Sequence, residues 1–381
     1  MVIRVLVRFL TVVLLAHSFV VFSVTVSPPL AQAQTALRVA YLIPGSNKEP
    51  FWLSAASFAQ AAADDLGFIL EVHYAFNDGR KLLEIGKDVA NRPKDKPNYI
   101  IFHNYEGAAP YIMNEIERNN LYGFVVGTGL SENVRQTVKG PREKFKSWLG
   151  EIKVDNVGGG NMLAKLLFRA AFERGLTSAS GRYTMALVNG SAGDSAAQDR
   201  QEGAILASKE YYRGEIISRS IADWSRIKAR AIAARAFEKN PTTPMYWVAN
   251  DLMALGILDT FERTRRIPGQ DTLIGCFNWS PWALQAVANN QIEYVLGGHF
   301  IHAGAALVML FDHSRGTDFR DKGLSQVARY GLVTKTNVKA VYQRMIKNDY
   351  SSIDFRKFSR VLNPNWQDYS FDALTYLSEV R

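Results

Sequence analysis

The segment RVAYLIPGSNKEPFW, which runs from Arg38 to Trp52, determines the fold class of this chain. It opens with a short apolar run, which is typical of a parallel strand covered on both faces. Pro44 and Gly45 then turn the chain, and Pro50 is of a residue type favoured in the first turn of a helix. The segment therefore predicts a buried strand, a tight elbow and a helix, which together form the first half of a βαβ unit.

Similar apolar runs of about four to eight residues recur along the chain and alternate with segments of helical periodicity. Repeated βα units imply parallel sheets, and their number is too large for one compact sheet. We therefore predict an α/β protein with two Rossmann-like lobes. The predicted strands are Leu37–Ile43, Ile69–Ala75, Tyr99–His103, Gly123–Gly127, Tyr183–Asn189, Glu215–Ser220, Met245–Ala249, Thr272–Asn278 and Tyr294–Gly297.

Three stretches do not follow this alternation. The charged segment Ser131–Lys153 is interpreted as a loop, and the polar, glycine-rich stretch Asp155–Gly160 is interpreted as the passage from one lobe to the other. The final segment, 342–381, is rich in aromatic residues, and we expect it to pack on a lobe instead of forming a third domain.

The first 33 residues have the order of a secretory signal peptide. Arg4 and Arg8 precede a long apolar run, which ends in the small-residue motif Ala31–Ala33. We expect cleavage after this motif and export of the mature chain. An uncleaved anchor is the alternative, since the run approaches the ~20 residues that span a bilayer. Pro28 and Pro29 favour processing over a continuing helix.

The composition argues against a nucleic-acid-binding protein and against a fold held by an internal disulfide. The formal net charge of +9 falls to +7 without Arg4 and Arg8, and acidic residues are interleaved with the basic ones, as in Pro141–Lys146. This pattern predicts a solvated surface and no nucleic-acid partner. Cys276 is the single cysteine, so an internal disulfide is excluded.

Ligands of open α/β sheets bind beyond the carboxyl ends of the strands, so the residues after each predicted strand are the candidates for a site. Behind the first strand, Asn47 and Glu49 offer polar groups, and Phe51 and Trp52 offer aromatic faces. Aromatic faces beside amides and carboxylates suit a sugar-like molecule. The alternative is that both rings belong to the core.

Later strand ends add polar candidates. Arg200 follows a loop of small residues, where its donors can reach a ligand oxygen; alternatively, it pairs with Asp199 or Glu202. Asn250 fits the N-cap of a helix as well as a ligand contact.

The ends of the last two predicted strands offer further ligand-binding candidates, and they also allow a metal site or an enzyme to be considered. Asn278 and Trp279 form a second polar and aromatic cluster, and His299 follows a pair of glycines. His299 and His302 lack a third suitably spaced ligand, so we expect no metal. The chain has no G-x-S-x-G elbow and no phosphate-binding loop, and Cys276 lies in an apolar strand, so neither an enzyme nor a cofactor is indicated.

Five sequence blocks follow one another along the chain: RVAYLIPGSNKEPFW, VDNVGGGNM, LVNGSAGDSAAQDRQEG, WVANDLMALG and LVTKTNV. In this order they resemble the type I periplasmic binding proteins, in particular the sugar-receptor group that includes ribose-binding protein. Within that group, the pattern is most similar to the autoinducer-2-binding receptors. The resemblance implies a periplasmic location, a ligand cleft between the lobes, and a three-strand hinge near Val154, Gly298 and Tyr330.

The resemblance also implies ligand-contacting positions. The chain departs from the family at Thr128, where the segment Thr128–Leu130 replaces an Asp-Arg pair, and at Gly298, where a polar residue is usual. Asn278 stands where an Asp is usual. These departures argue against a simple aldopentose and against autoinducer-2 as the ligand. The family's ligand-contacting positions fall on Asn47, Glu49, Trp52, Arg200, Asn250, Phe277 and Asn278.

The expected lobes are 34–153 plus 299–330 and 154–298 plus 331–341. The expected function is that of a monomeric periplasmic receptor that captures a small polar ligand and presents it to an ABC permease or a sensor histidine kinase in the inner membrane. Two alternatives stay open. The first is an exported carbohydrate hydrolase, for which only Glu49 supplies a carboxylate in the cleft. The second is a protein-binding sensor subunit without a ligand.

Overall fold

The computed structural model describes residues 36–379, apart from 240–242, 263 and 265. The predicted signal peptide lies outside these residues. The described strands are β1 (Arg38–Ile43), β2 (Ile69–Tyr74), β3 (Tyr99–Phe102), β4 (Tyr122–Gly127), β5 (Trp148–Val154), β6 (Tyr183–Asn189), β7 (Gly214–Ile221), β8 (Met245–Val248), β9 (Leu273–Phe277), β10 (Tyr294–Gly297), β11 (Ser325–Ala328) and β12 (Gly331–Val333).

The strands form two six-stranded sheets, in the orders β11-β5-β4-β3-β1-β2 and β12-β10-β9-β8-β6-β7. All neighbouring strands are parallel except β12, which runs antiparallel to β10. The prediction of two α/β lobes built on parallel sheets is confirmed.

Helices cover the sheets, and no helix in the described ranges is long and apolar enough to cross a bilayer. Single 3₁₀ turns occupy His299–Ile301, Arg320–Lys322 and Phe355–Phe358. The α-helices are α1 (Pro50–Leu66), α2 (Gly79–Ala90), α3 (Ala109–Arg118), α4 (Glu132–Val138), α5 (Asn156–Glu173), α6 (Ser195–Glu210), α7 (Arg226–Lys239), α8 (Asp251–Phe261), α9 (Pro281–Ala288), α10 (His302–Ser314), α11 (Val338–Met345) and α12 (Ala373–Ser378).

Apolar residues bury both faces of the first sheet, which explains why its strands read as continuous apolar runs. Along β1, Val39 and Tyr41 pack into one core cluster, whereas Ala40 and Leu42 pack into the other. Successive side chains of a strand point to opposite faces, so a strand between two layers of helices requires apolar residues at every position.

The chain passes between the two sheets three times: from β5 to α5, from β10 to the His299–Ile301 turn, and from β11 to β12. These are the positions at which the resemblance placed a three-strand hinge. Gly298 adopts a φ of +91°, and a Cβ there would lie 3.0 Å from the Cβ of Ala373. A glycine therefore fits the second crossover on both conformational and steric grounds. The exact lobe boundaries stay predictions.

The interpretation of Ser131–Lys153 as a loop is wrong, because the segment contains α4 and most of β5. Glu151 and Lys153 interrupt the apolar run of β5 and hide its strand character. Glu151 is 0% exposed and accepts hydrogen bonds from Arg135 (2.6 Å) and the Ser325 hydroxyl (2.6 Å). A buried carboxylate is tolerated where such partners compensate its charge. The short strands β11 and β12 were also missed.

Helices α5 and α6 meet backbone to backbone. A Cβ on Gly160 would lie 1.9 Å from the carbonyl oxygen of Arg200, and a Cβ on Gly203 would lie 2.0 Å from that of Val157. Real Cβ contacts are never this short, so the crossing requires both glycines. The crossing holds the backbone of Arg200 against the start of α5.

Helix α11 packs against α9, beside the second sheet, whereas the final segment from Asn348 onward packs against α1 and α10, beside the first sheet. The Phe58 ring contacts the rings of Tyr350, Phe355 and Tyr376 edge to face, with centroids 5.1–5.5 Å apart. Asp312 on α10 is fully buried and accepts hydrogen bonds from the hydroxyls of Ser359 and Tyr369. These contacts attach the final segment through both apolar packing and a buried carboxylate.

Candidate ligand-binding site

A cleft of about 860 Å³, including its open mouth, lies between the sheets. Each of the strands β1 to β10 contributes a lining residue at its carboxyl end or in the loop that follows it, as expected for ligand sites in α/β sheets. The lining residues are Pro44, Glu49, Pro50, Phe51, Trp52, Asn77, His103, Asn104, Tyr105, Gly127, Thr128, Val154, Asn156, Asp194, Ala196, Arg200, Trp224, Asn250, Asp251, Leu252, Asn278 and His299.

Eight of the eleven residues predicted for the site lie in this lining, drawn from both lobes. The fold thus brings together side chains that are up to 250 positions apart in the chain, from Glu49 to His299. The eight residues are Glu49, Phe51, Trp52, Thr128, Arg200, Asn250, Asn278 and His299.

Three predicted residues lie elsewhere. Asn47 is exposed and outside the lining, because the elbow closes on itself through hydrogen bonds between Ser46 and Glu49 and leaves Asn47 in the turn. Phe277 is fully buried, with its ring centroid 4.5 Å from the Arg200 guanidinium carbon. Trp279 is also buried, against glycines at two crossovers of the hinge.

Aromatic rings wall the cleft on the side of the first lobe. Phe51 and Trp52 pack edge to face, with centroids 4.7 Å apart, and each also contacts a histidine: Phe51 lies 4.5 Å from His299 and Trp52 lies 5.0 Å from His103. A Cβ on Gly45 would lie 1.9 Å from the Trp52 indole, so the elbow glycine makes room for this ring. Both rings are partly buried against the core and also line the cleft.

Arg200 is 5% exposed and is bonded to the hinge, so the alternative pairing with Asp199 or Glu202 is not realised. Its Nε donates to the Asn156 side-chain oxygen and to the Tyr330 hydroxyl, both at 3.1 Å. One Nη donates to the carbonyl of Ala249 at 2.7 Å, and the other lies 3.4 Å from Nε2 of His299. The guanidinium therefore contacts a residue at each of the three crossovers.

The cleft contains more carboxylates than the single one, Glu49, that the sequence indicated. Asp194 caps α6, and burial raises the pKa of its carboxyl to about 6, although the Ala196 N–H and Arg200 act to lower it. Burial also raises the pKa of Asp251, against hydrogen bonds from Ser280 and Asn278.

The Glu49 carboxyl completes this acidic group from the opposite lobe. Burial raises its pKa, and hydrogen bonds from Asn77 and Ser46 act in the other direction. The nearby charge of Asp251 raises it further. The N-cap role of Asn250 is confirmed: its side-chain oxygen accepts the N–H of Met253 at 2.8 Å, as capping residues commonly do.

Sequence reasoning missed several lining residues whose strand ends were visible. Asn77 follows β2, His103 and Asn104 follow β3, and Trp224 follows β7. Applying the strand-end rule to every predicted strand would have found His103 and Asn104, which directly follow β3. Asn77, Trp224 and Asp194 lie further from their strands, in loops whose course the sequence does not define.

The described ranges contain no group of three or more His, Cys, Asp or Glu side chains placed to hold a metal ion. Cys276 is buried within β9, and burial raises the pKa of its thiol well above the ordinary value. His302 is likewise buried, and burial lowers the pKa of its imidazole to about 3.

The chain belongs to the family described as "Periplasmic binding protein domain", whose profile matches residues 39–317. It is 23% identical to the D-allose-binding periplasmic protein of Escherichia coli (strain K12) over 219 residues, or 55% of this chain and 63% of that protein. It is 26% identical to the ribose import binding protein RbsB of the same organism over 284 residues, or 72% of this chain and 82% of that protein. The match therefore spans slightly less than two thirds of the allose-binding protein.

Solved structures agree with this assignment. A periplasmic sugar-binding protein from Pseudomonas fluorescens superposes with a TM-score of 0.78 at 28% identity, covering 90% of this chain and 99% of that one. A galactofuranose-binding protein superposes with a TM-score of 0.70 at 16% identity, covering 82% of this chain and 99% of that one, and shares the fold. The predicted resemblance to ribose-type receptors is confirmed, and the chain is a binding protein, not an enzyme. The closer resemblance to autoinducer-2 receptors stays a prediction.

Proposed function

We propose that this chain is an exported periplasmic receptor that captures one small, polar, sugar-like molecule in the cleft between its lobes. The observation that carries the proposal is the meeting of aromatic rings and hydrogen-bonding groups from both sheets in one cleft. Phe51 and Trp52 offer ring faces from the first lobe, while Asn250 and Asn278 offer amides from the second. Apolar sugar faces stack on such rings, and sugar hydroxyls bond to such amides.

A ligand that contacts both lobes stabilises the closed arrangement, because it binds the closed state more tightly than the open one. Arg200 links this contact to the hinge, since it lines the cleft and bonds to all three crossovers. The closed form is then the species that a membrane partner distinguishes from the empty receptor. One relative is named as an import protein, which favours an ABC permease over a sensor kinase as that partner.

A thermal-shift screen of aldoses, polyols and autoinducer-2, followed by calorimetry on each hit, tests the proposal. A ligand that binds only the folded state raises the melting temperature. We expect one chemical class to stabilise the protein without being consumed. The stabilisation should disappear in Trp52→Ala and persist in Trp282→Ala, because Trp282 is 57% exposed and lies outside the cleft.

Two results would contradict the proposal. Conversion of the hit to a product would make the cleft an active site. A melting temperature unchanged across a broad library would favour a receptor that binds only a protein partner.

A further inference from the structure

The charge of the cleft lining is unbalanced. Three carboxylates line it, Glu49, Asp194 and Asp251, whereas Arg200 is the only Lys or Arg in the lining that the structure describes. With all four groups ionised, the lining carries two uncompensated negative charges. A neutral sugar enclosed there would leave both charges in a site that lobe closure removes from water, which is costly.

The hydrogen bonds of the three carboxylates and of Arg200 do not neutralise the net negative charge of the lining. Among the described residues, the bonding partners of Glu49, Asp194 and Asp251 are amides, backbone N–H groups and hydroxyl-bearing serines, all neutral. Arg200 directs its donors to neutral acceptors, and none of its hydrogen bonds reaches a carboxylate. It acts on Asp194 only through space, by lowering its pKa.

A second, independent feature is an acceptor without a donor. Asn104 is 6% exposed, and its side-chain amide donates to the carbonyl of Gly129 at 3.0 Å. Asn104 is one of the residues that line the cleft, and its Oδ1 is buried and has no hydrogen-bond partner among the described residues. A buried acceptor of this kind calls for a donor from the ligand. The lining is thus rich in acceptors as well as in negative charge.

The aromatic groups of the lining also suit a positive charge. Phe51, Trp52 and Tyr105 border the cleft, as does Trp224, whose ring centroid already lies 6.0 Å from the Arg200 guanidinium carbon. The face of an aromatic ring attracts a cation, most strongly for tryptophan and where water is excluded.

We propose that the ligand carries a protonated amine in addition to its hydroxyls, which makes it an amino sugar or an amino polyol. This inference rests on the proposed function, because it names the chemical class that the same cleft takes. An ammonium group supplies a positive charge and three donors, and its hydrogen bonds to carboxylates are about twice as strong as neutral ones. The ligand hydroxyls then form hydrogen bonds with the asparagine amides of the cleft and with Arg200.

Calorimetry with matched pairs of probes tests this inference: glucosamine against glucose, and galactosamine against galactose. We expect the amine of at least one pair to bind ten or more times more tightly than the neutral sugar. In Asp194→Asn, which removes the charge but keeps a capping oxygen, this preference should fall at least tenfold. Asp199→Asn on the same helix lies outside the lining and should keep the preference. Glu49→Gln, at the partly exposed elbow, is a second variant should Asp194→Asn not fold.

The outcomes separate this inference from the proposed function. If the neutral sugars bind as tightly as the amino sugars or more tightly, the inference of an amine-bearing ligand is wrong, while the proposed sugar-receptor function is unaffected. Amine preference that survives both Asp194→Asn and Glu49→Gln also overturns it, since the carboxylates would not be its cause. Failure of both amines and neutral sugars to bind, across a library of both classes, overturns the proposed function as well.

Discussion

The Tyr330 hydroxyl donates a 2.5 Å hydrogen bond to the side-chain oxygen of Asn156 and thereby joins the third crossover of the chain to the first. Arg200 donates to both of these groups from the second lobe, and its other side lies 3.4 Å from His299 at the second crossover. One cleft-lining side chain therefore contacts every connection between the lobes. A ligand that moves Arg200 changes the hinge directly.

This arrangement predicts that Arg200→Lys weakens both ligand binding and the fold. A lysine ammonium is a point charge and cannot replace the planar fork that reaches Asn156, Tyr330 and Ala249 together. We expect the free energy of unfolding to fall by about 2 kcal/mol, the scale of buried hydrogen bonds to a charged group. Urea denaturation of the ligand-free protein measures this change.

Arg169→Lys is the matched control for this prediction. Arg169 is 74% exposed and pairs with Glu173 one helical turn away, so this substitution should leave the urea midpoint at its wild-type value. An Arg200→Lys variant as stable as this control would show that the hinge contacts of Arg200 add nothing to the ligand-free fold.

Trp52→Ala should reduce ligand affinity at least tenfold, or by about 1.4 kcal/mol, because it removes an aromatic face from the cleft. Calorimetry with the ligand found by screening measures the loss. Trp282→Ala, outside the cleft, should bind as the wild type does. If the two variants lose affinity equally, the effect is general and not a property of the cleft.

Asp312→Ala should destabilise the protein by about 3 kcal/mol or more, because it leaves buried donors of the final segment without an acceptor. Those donors are the hydroxyls of Ser359 and Tyr369 and the backbone N–H of Arg360. Asp368→Ala, in the same segment, is the control, since Asp368 is 78% exposed and pairs with Lys322 at the surface. Similar urea midpoints for the two variants would rule out Asp312 as an anchor.

Acidification should destabilise the fold through His302. Burial lowers the pKa of this imidazole from 6.5 to about 3. The unfolded chain therefore binds a proton between these values that the folded chain does not, and stability is lost as the pH falls below 6.5. The loss is about 2 kcal/mol between pH 6.5 and pH 5.

Asp194 acts with the opposite sign, since its pKa is raised to about 6 and its stabilising contribution is lost as the pH rises through that value. The contribution of Asp194 is the same in wild type and in a His302 variant, so the difference between the two proteins isolates the contribution of His302. His302→Leu should lose about 2 kcal/mol less than wild type between pH 7 and pH 5. Equal pH dependence in urea denaturation would exclude His302 as a source of acid sensitivity.

Much of the fold was predictable from the sequence, because local patterns are enough to identify most of its strands. Strands such as β1 and β9 are buried on both faces and consequently appear as apolar runs bounded by turns. Strand β5 was missed because the charged residues Glu151 and Lys153 interrupt its apolar run. The partners that make Glu151 acceptable inside the protein, Arg135 and Ser325, are 16 and 174 positions away along the chain.

The site was predictable where a polar or aromatic side chain lies in the loop or the early helix that follows a strand. Glu49, Arg200 and Asn278 lie in such positions, and the structure places them in one cleft. Trp279 also follows it, yet its indole packs against Gly297 and Gly331 inside the hinge. Whether a side chain beyond a strand end points into the cleft or into the hinge depends on the neighbouring elements. The local sequence does not specify their positions.

The amino-acid sequence by itself determined the fold class of this protein, because the periods of apolar residues and the turn residues between them act over short distances along the chain. Only the tertiary structure decided which groups share the cleft and what they bond to. Arg200 is held by Asn156, Tyr330 and His299, up to 130 positions away, and Asp194 joins Glu49 in the same lining. Charge balance and hydrogen bonding depend on distances in space, and those exist only once both sheets have formed.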